Sequence, residues 1–397
     1  MAVALVFAVV VLVAGVGSGA LPLGLPGGSS GSGRHAPGAS GGQQAGAAAA
    51  AVPTSTPTPA PTATPTPTPA PVAAATNGVL YPASEADLAT RHPLAIMIDD
   101  APAARPQAGL SNADIVYQAP AEGGIPRYML VYQGGDAPSI GPIRSSRLYF
   151  AAWASEWRAV YAHVGGAPNA LAYIQQVDKH LLWNADEYYW PQYMPRITTR
   201  VAPHNVYTST AKLRALAARL GATAPFTTPA WTFEDGAPLS ERPTGGSITI
   251  PYPANVVGYT YDRATNRYLR SVSGGQPQVD AGTHERVAPY DVIVQYVQVG
   301  PLLNTPTEPT NQLKGRLELG YLGSGRATVF RDGIEIQARW SKASAGAPTE
   351  FTYADGPLAG QPVPLVRGQI FVQVVPDSMQ IQVVPGSFPN PDRAAPQ

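Results

Sequence analysis

The pattern of this chain predicts a mixed α/β and α+β architecture. An N-terminal α/β domain and a smaller β-rich domain, of sandwich or barrel type, follow a disordered Pro/Thr/Ala-rich linker. Three observations carry that reading. Short apolar runs alternate with helical patterns over about 78–235. Over 245–390 the helical period disappears, and short strands with turn signals replace it. The 43 prolines and 40 glycines exceed what one globular domain uses, and they crowd toward the N-terminus.

Ala2 to Val16 is almost wholly apolar, and no charge precedes Arg34. Within 1–20 two readings compete. One is a secretory signal with a small-residue site at Ser18-Gly19-Ala20, the other an uncleaved anchor that spans the membrane. Either way the folded part is expected outside the bacterial cytoplasmic membrane, secreted or tethered through this segment. Residues 21–77 cannot build a core: Gly27 to Gly46 is Gly/Ser/Ala-rich, and Val52 to Val72 alternates proline with threonine and alanine. Such a tract favours polyproline II and reaches roughly 60 Å.

In the first domain, Leu94 to Ile98 reads as a buried strand delivering Asp99 and Asp100 to its C-terminal end. Ile115 to Ala119, Tyr128 to Tyr132 and Val160 to Val164 are further strands. Ser145 or Ser146 is expected to cap a helix over about 147–157, with Tyr149, Trp153 and Trp157 on one core-facing side. Pro168 suits the first turn of the next helix, and another runs from about Ser209 to Leu220, stopped by Gly221. In the second domain, Val257 to Tyr261 and Tyr268 to Val272 form a hairpin. Thr328 to Arg331 and Ile334 to Trp340 form another across Asp332-Gly333. Asp291 to Val299 and Gln369 to Val375 are apolar strands, and Met379, Ile381 and Val383 alternate with polar residues as a half-buried strand does. The boundary is expected between about 225 and 250.

Composition narrows the function. With 26 basic and 26 acidic residues the net charge is +0, and no basic stripe is visible, so nucleic acid is not the expected partner. The absence of cysteine removes thiolate chemistry and a lipid-bearing cysteine from the printed chain. No H-E-x-x-H, G-x-S-x-G or Walker pattern occurs, so neither a metal nor a cofactor is expected. What remains is a set of polar residues at predicted strand ends and helix starts, where α/β clefts form. Glu122, His163 and His204 are the catalytic candidates. Asp99, Arg127, Arg144, Ser145 and Arg147 are binding candidates, because paired arginines grip carboxylate or phosphate. The competing reading of the same residues is an internal ion-pair network.

Several runs are specific enough to match a family. Pro93 to Asp99, Arg105-Pro106-Gln107-Ala108-Gly109-Leu110, Ala113 to Tyr117, Glu122-Gly123-Gly124, Gly141 to Ser145 and Ala202-Pro203-His204-Asn205 lie in the first half. Phe330 to Gly333, Trp340-Ser341-Lys342 and Arg367 to Val372 lie in the second. Together, over about 92–385, they resemble the bacterial YerB-like lipoprotein family, domain of unknown function 3048. The resemblance implies a two-domain extracytoplasmic envelope protein, adds Arg105 and Asn205 to the binding candidates, and supplies no activity. Family members usually carry a lipid-attachment cysteine, so here an apolar anchor would substitute. Asp100 stands where asparagine is commoner, and Gln118 where glutamate is commoner. The leading expectation is a binding or scaffolding module for a cell-wall polymer, peptide or envelope protein. The alternative is a hydrolase or transferase acting on envelope glycan or peptide.

Overall fold

The computed structural model describes residues 69–388. The apolar segment and most of the expected linker therefore lie outside the described residues. The folded body starts earlier than residue 78. Val72–Ala73 pairs with Leu80–Tyr81. Thr76 and Asn77 are buried and donate to the two carboxylate oxygens of Asp114 at 2.8 and 3.0 Å. A Pro/Thr/Ala-rich tract cannot announce such contacts, because the acceptor that fixes them lies far along the chain.

The first half contributes strands β1 (Leu94–Asp99), β2 (Ile115–Ala119), β3 (Arg127–Tyr132), β4 (Val160–His163) and β5 (Trp183–Asp186). The second contributes β6 (Ser247–Tyr252), β7 (Asn255–Asp262), β8 (Arg267–Val272), β9 (Asp291–Val297), β10 (Gly323–Arg331), β11 (Ile334–Lys342), β12 (Glu350–Tyr353), β13 (Ile370–Pro376) and β14 (Gln382–Val384). Ten of these form one sheet in the order β12-β11-β10-β9-β13-β2-β3-β1-β4-β5. β13 sits at its centre, parallel to β9 on one side and to β2 on the other.

The division at 225–250 is therefore not a physical separation. Helices are confined to the first half and the second half is strand-rich, but both halves share a sheet. The reason is legible in β13, where Ile370, Phe371, Val372, Val374 and Val375 are all buried. A strand apolar on both faces needs neighbours on both edges and layers above and below. A free-standing sandwich over 245–390 would have left its edge open.

Alternate residues of the ten strands feed two cores. One face packs against β6, β7, β8 and helix α3 (Thr210–Leu220), with Ile96, Val116, Leu130, Val294 and Phe371 meeting Ile250, Tyr259 and Leu213. The second sheet, completed by β14 and the short Gln276–Pro277, is wholly antiparallel. The opposite face packs against α1 (Leu148–Glu156), with Met97, Tyr117 and Met129 meeting Phe150, Trp153 and Trp157. Beside it lies α2 (Pro168–Val177), whose Ile174 joins that core. Tyr149, Trp153 and Trp157 are thus core, as their spacing predicts.

Ser145 and Ser146 do not cap α1. The N-cap is Arg147, no side chain caps the helix, and Ser146 Oγ instead meets Tyr161 OH at 2.8 Å. Helix α3 does follow its expected signals. Ser209 accepts from Lys212 N at 3.2 Å, and Gly221 terminates the helix at φ 81°. The β10–β11 hairpin turns on Asp332 and Gly333, both at positive φ.

Candidate functional site

Parallel strands β1, β2, β4 and β5 all point the same way, so their C-terminal ends line one edge of the sheet. The segment 140–146 runs along that edge. Ile143 bridges Ile98, Arg144 N donates to Met97 O at 3.0 Å, and Val164 N donates to Arg144 O at 3.2 Å. Backbone pairing of this one segment with β1 and with the chain after β4 is what brings the expected site residues into one neighbourhood. Within it they form three groups.

Asp99 anchors the first. Its Oδ1 accepts from Ala101 N at 3.0 Å, while Oδ2 is shared between His204 Nδ1 at 2.9 Å and Arg144 Nε at 3.2 Å. The carboxylate is nearly buried, whereas the His204 and Arg144 side chains are 20% and 30% exposed. With Nδ1 committed to Asp99, His204 turns Nε2 outward, and that atom has no partner among the described residues. Neither Nη atom of Arg144 has one either. Asn205, beside His204, accepts from Arg196 Nη1 at 3.2 Å.

Glu122 anchors the second. Gly123 and Gly124 both adopt positive φ, which allows the turn that throws Glu122 back across the strand end. Its carboxylate takes Arg147 Nε at 2.5 Å on Oε1 and Arg127 Nη2 at 3.2 Å on Oε2. Arg127 also donates to Ser145 O at 2.7 Å, and Arg147 to Ser146 O at 2.6 Å. Burial alone would raise the Glu122 pKa, but the Arg147 hydrogen bond and the charges of Arg127 and Arg147 hold it below the ordinary value. Burial and the nearby Arg147 lower Arg127 to about 10, and Glu122 opposes that, so Glu122 and Arg127 stay charged at neutral pH. A carboxylate held this way is a poor proton carrier. Glu122 bridges the two arginines through its two carboxylate oxygens.

His163 forms the third group and is fully buried. Its Nδ1 faces Gly165 O at 2.9 Å, its Nε2 faces the Asn184 amide at 3.0 Å, and Asp186 Oδ2 stands 3.8 Å from Nδ1. A carbonyl only accepts, so Nδ1 carries the proton. The atom facing Nε2 is Asn184 Oδ1, also an acceptor, and burial lowers the ring's pKa against the pull of Asp186. With both nitrogens engaged and no exposure, His163 cannot meet a substrate. Of the three catalytic candidates, His204 alone keeps an outward ring nitrogen.

Arg105 belongs elsewhere. It grips Asp100 through Nε at 3.1 Å and reaches Ser273 Oγ at 2.7 Å. Asp100 is buried and accepts also from Gln107 Nε2 at 3.2 Å, Gln118 Nε2 at 2.8 Å and Asn255 Nδ2 at 2.8 Å. Gln118 Oε1 in turn accepts from the buried Arg270 Nη2 at 2.6 Å. Burial raises the Asp100 pKa, and the charges of Arg105 and Arg270 oppose it.

Sequence reasoning missed the loop after β5. Residues 187–208 are irregular, and Tyr188 and Tyr189 are 70% and 72% exposed. A Cβ on Gly165 would meet the Tyr188 ring at 2.8 Å, so that ring covers the backbone beside the Arg144–Ser146 segment. The available signal was Tyr188-Tyr189-Trp190-Pro191, an aromatic run with neither helical nor strand period, closed by proline.

Comparison with known proteins places this architecture. The N-terminal domain model of the proteins of unknown function DUF3048 matches residues 81–223, and their C-terminal domain model matches 248–372. The chain belongs to the DUF3048 family. A relative named "Putative lipoprotein YerB", from Bacillus subtilis (strain 168), is 27% identical over 314 residues, covering 74% of this chain and 84% of its own. The crystal structure of YerB protein from Bacillus subtilis shares the fold, with a TM-score of 0.66 at 24% identity over 78% of this chain and 99% of that one. Against the DUF3048 pattern, the two departures at 100 and 118 turn out to be hydrogen-bonded to each other. In this chain the pair holds one carboxylate and one amide in the buried network.

Proposed function

We propose that this DUF3048 protein is a binding module of the bacterial cell envelope, and that the edge carrying Asp99, Arg144 and His204 is its binding face. The lipoprotein name of the YerB relative and the apolar N-terminal run support the envelope setting. The observation that carries the binding reading is the pairing of exposed aromatics with open polar donors. Tyr188 and Tyr189 lie largely in solvent beside the chain that presents Arg144. Tyrosines beside hydrogen-bond donors combine an apolar ring face with polar contacts, which suits glycans and peptides. The expected ligand is an envelope polymer, peptide or protein. The test is co-sedimentation of the full chain with purified insoluble wall polymer. Wild type is expected to pellet, and Tyr188→Ala/Tyr189→Ala to stay in the supernatant with an unchanged Tm. Equal pelleting of both would refute this face.

One contact favours a second reading, hydrolysis or group transfer. Asp99 orients His204 with Nε2 outward, which is how a carboxylate prepares a histidine base. Turnover of a wall polymer that is lost in His204→Gln and kept in Glu122→Gln would establish it over simple binding.

A further inference from the structure

We propose that Arg144 and His204 form an anion clamp, facing away from the point where the chain enters the folded body, for a polyanionic wall polymer carrying phosphodiester or carboxylate groups. This rests on the binding-face reading above.

The first support is the arrangement of unused donors. Asp99 Oδ2 hydrogen-bonds His204 Nδ1 and forms an ion pair with Arg144 Nε at 3.2 Å without hydrogen-bond alignment, so one buried carboxylate holds two side chains whose far ends are open. What Arg144 leaves free is its pair of Nη groups, whose parallel N–H bonds match an anion with two equivalent oxygens. The His204 half of the clamp is preorganised, since its ring is hydrogen-bonded in place before any ligand arrives.

The second support is charge. Arg127, Arg144 and Arg147 are matched by Asp99, Glu122 and, in the third group, Asp186 beside His163. Arg200 bonds only the carbonyls of Ala104 and Pro106 and has no carboxylate partner among the described residues.

The third support is direction. Thr76 and Asn77, at the start of the described body, attach to Asp114 just before β2, and Gly368 N, just before β13, donates to Asn77 O. That is the edge where the parallel strands begin. Asp99, Arg127 and His163 lie at the edge where they end, one strand length away, about 17–20 Å. The clamp thus lies on the side of the folded body opposite the entry of the chain at residue 69.

The test measures binding of the full chain by calorimetry to four probes at low and high salt. These are a glycerol-phosphate oligomer, poly-glutamate, an uncharged chitin oligosaccharide, and vesicles of phosphatidylglycerol in phosphatidylcholine. The expected result is salt-sensitive binding to at least one of the first two. It should weaken tenfold or more in Arg144→Gln, and more than threefold in Arg144→Lys, which keeps charge and fold but lacks the fork. His204→Gln should weaken it as well, each variant with Tm within about 2 °C of wild type. Which of the first two probes binds tells phosphodiester from carboxylate. Binding to the uncharged oligosaccharide that is lost in Tyr188→Ala/Tyr189→Ala and indifferent to Arg144→Gln overturns the clamp while the binding face stands. Arg144-dependent binding to vesicles without binding to either soluble polyanion assigns the clamp to lipid headgroups and overturns the wall polymer as its ligand. Failure to bind any probe or purified wall polymer overturns the underlying reading with it.

Discussion

Asp291 is a buried carboxyl with one oxygen, Oδ1, accepting Val366 N at 3.2 Å, and the other, Oδ2, without a partner. Burial pushes its pKa well above the ordinary carboxylate range, against the pull of Arg331. The folded state therefore holds this proton more tightly than the unfolded chain. The stability it contributes is full below about pH 4 and is lost as pH rises through the folded value, at up to about 1.4 kcal/mol per pH unit. Asp291→Asn does not titrate. Its Tm is expected to exceed that of wild type at pH 7–8, with the advantage shrinking toward pH 4. A Tm difference that stays flat across that range, followed by calorimetry, would show that Asp291 is not held protonated.

Between elements, helix α1 is locked to strand β11 by an ion pair inside the core. Lys342 Nζ meets Glu156 Oε2 at 2.6 Å with both side chains essentially unexposed. The same carboxylate accepts Tyr117 OH at 2.5 Å and Thr349 N at 3.0 Å. Removing one member of a buried pair costs about 3–5 kcal/mol, because the other charge is left unpaired. Lys342→Met is expected to lose that much in urea denaturation. Glu156→Gln in the same background should recover part of it, since the amide carries no charge and its oxygen can still accept from Thr349 at the Oε2 position. If the double variant is no more stable than Lys342→Met, the pair is not coupled. Sequence placed Glu156 on the aromatic helix and Lys342 in a matched run, and neither position advertised the other.

For the whole molecule, the central position of β13 ties the first and last parts of the fold together. Arg270 and Asp100 do the same in the second layer, linking β8 through Gln118 and Asn255 to the ends of β1 and β2. A sheet of this kind cannot lose a middle strand and keep its neighbours. Thermal unfolding of wild type is expected as one transition with agreeing calorimetric and van't Hoff enthalpies. A chain cut after residue 235 should be digested by protease at rates typical of unfolded protein. Two separate transitions, or a protease-resistant fragment ending near 235, would show that the two halves fold independently despite the shared sheet.

The sequence by itself determined the local elements. The alternation in β7, the cap and glycine stop of α3, the Asp332-Gly333 turn and the buried stripe of α1 all depend on residues within a turn or two of each other. The gathering of Asp99, Arg144, Glu122 and His163 at one edge was also legible, because strand direction alone sends strand ends there. Three things were decided only by the tertiary structure. Sharing one sheet between the halves depends on which edges of β13 find partners, and hydrophobicity is blind to partner identity. The roles of Glu122, His163 and His204 depend on burial and on counter-charges. The same residue types serve as ion pair, buried hydrogen-bond hub or open donor according to what stands within about 3 Å. The early start of the fold at Thr76 and Asn77 depends on Asp114 waiting at the head of β2, a contact that no local pattern encodes.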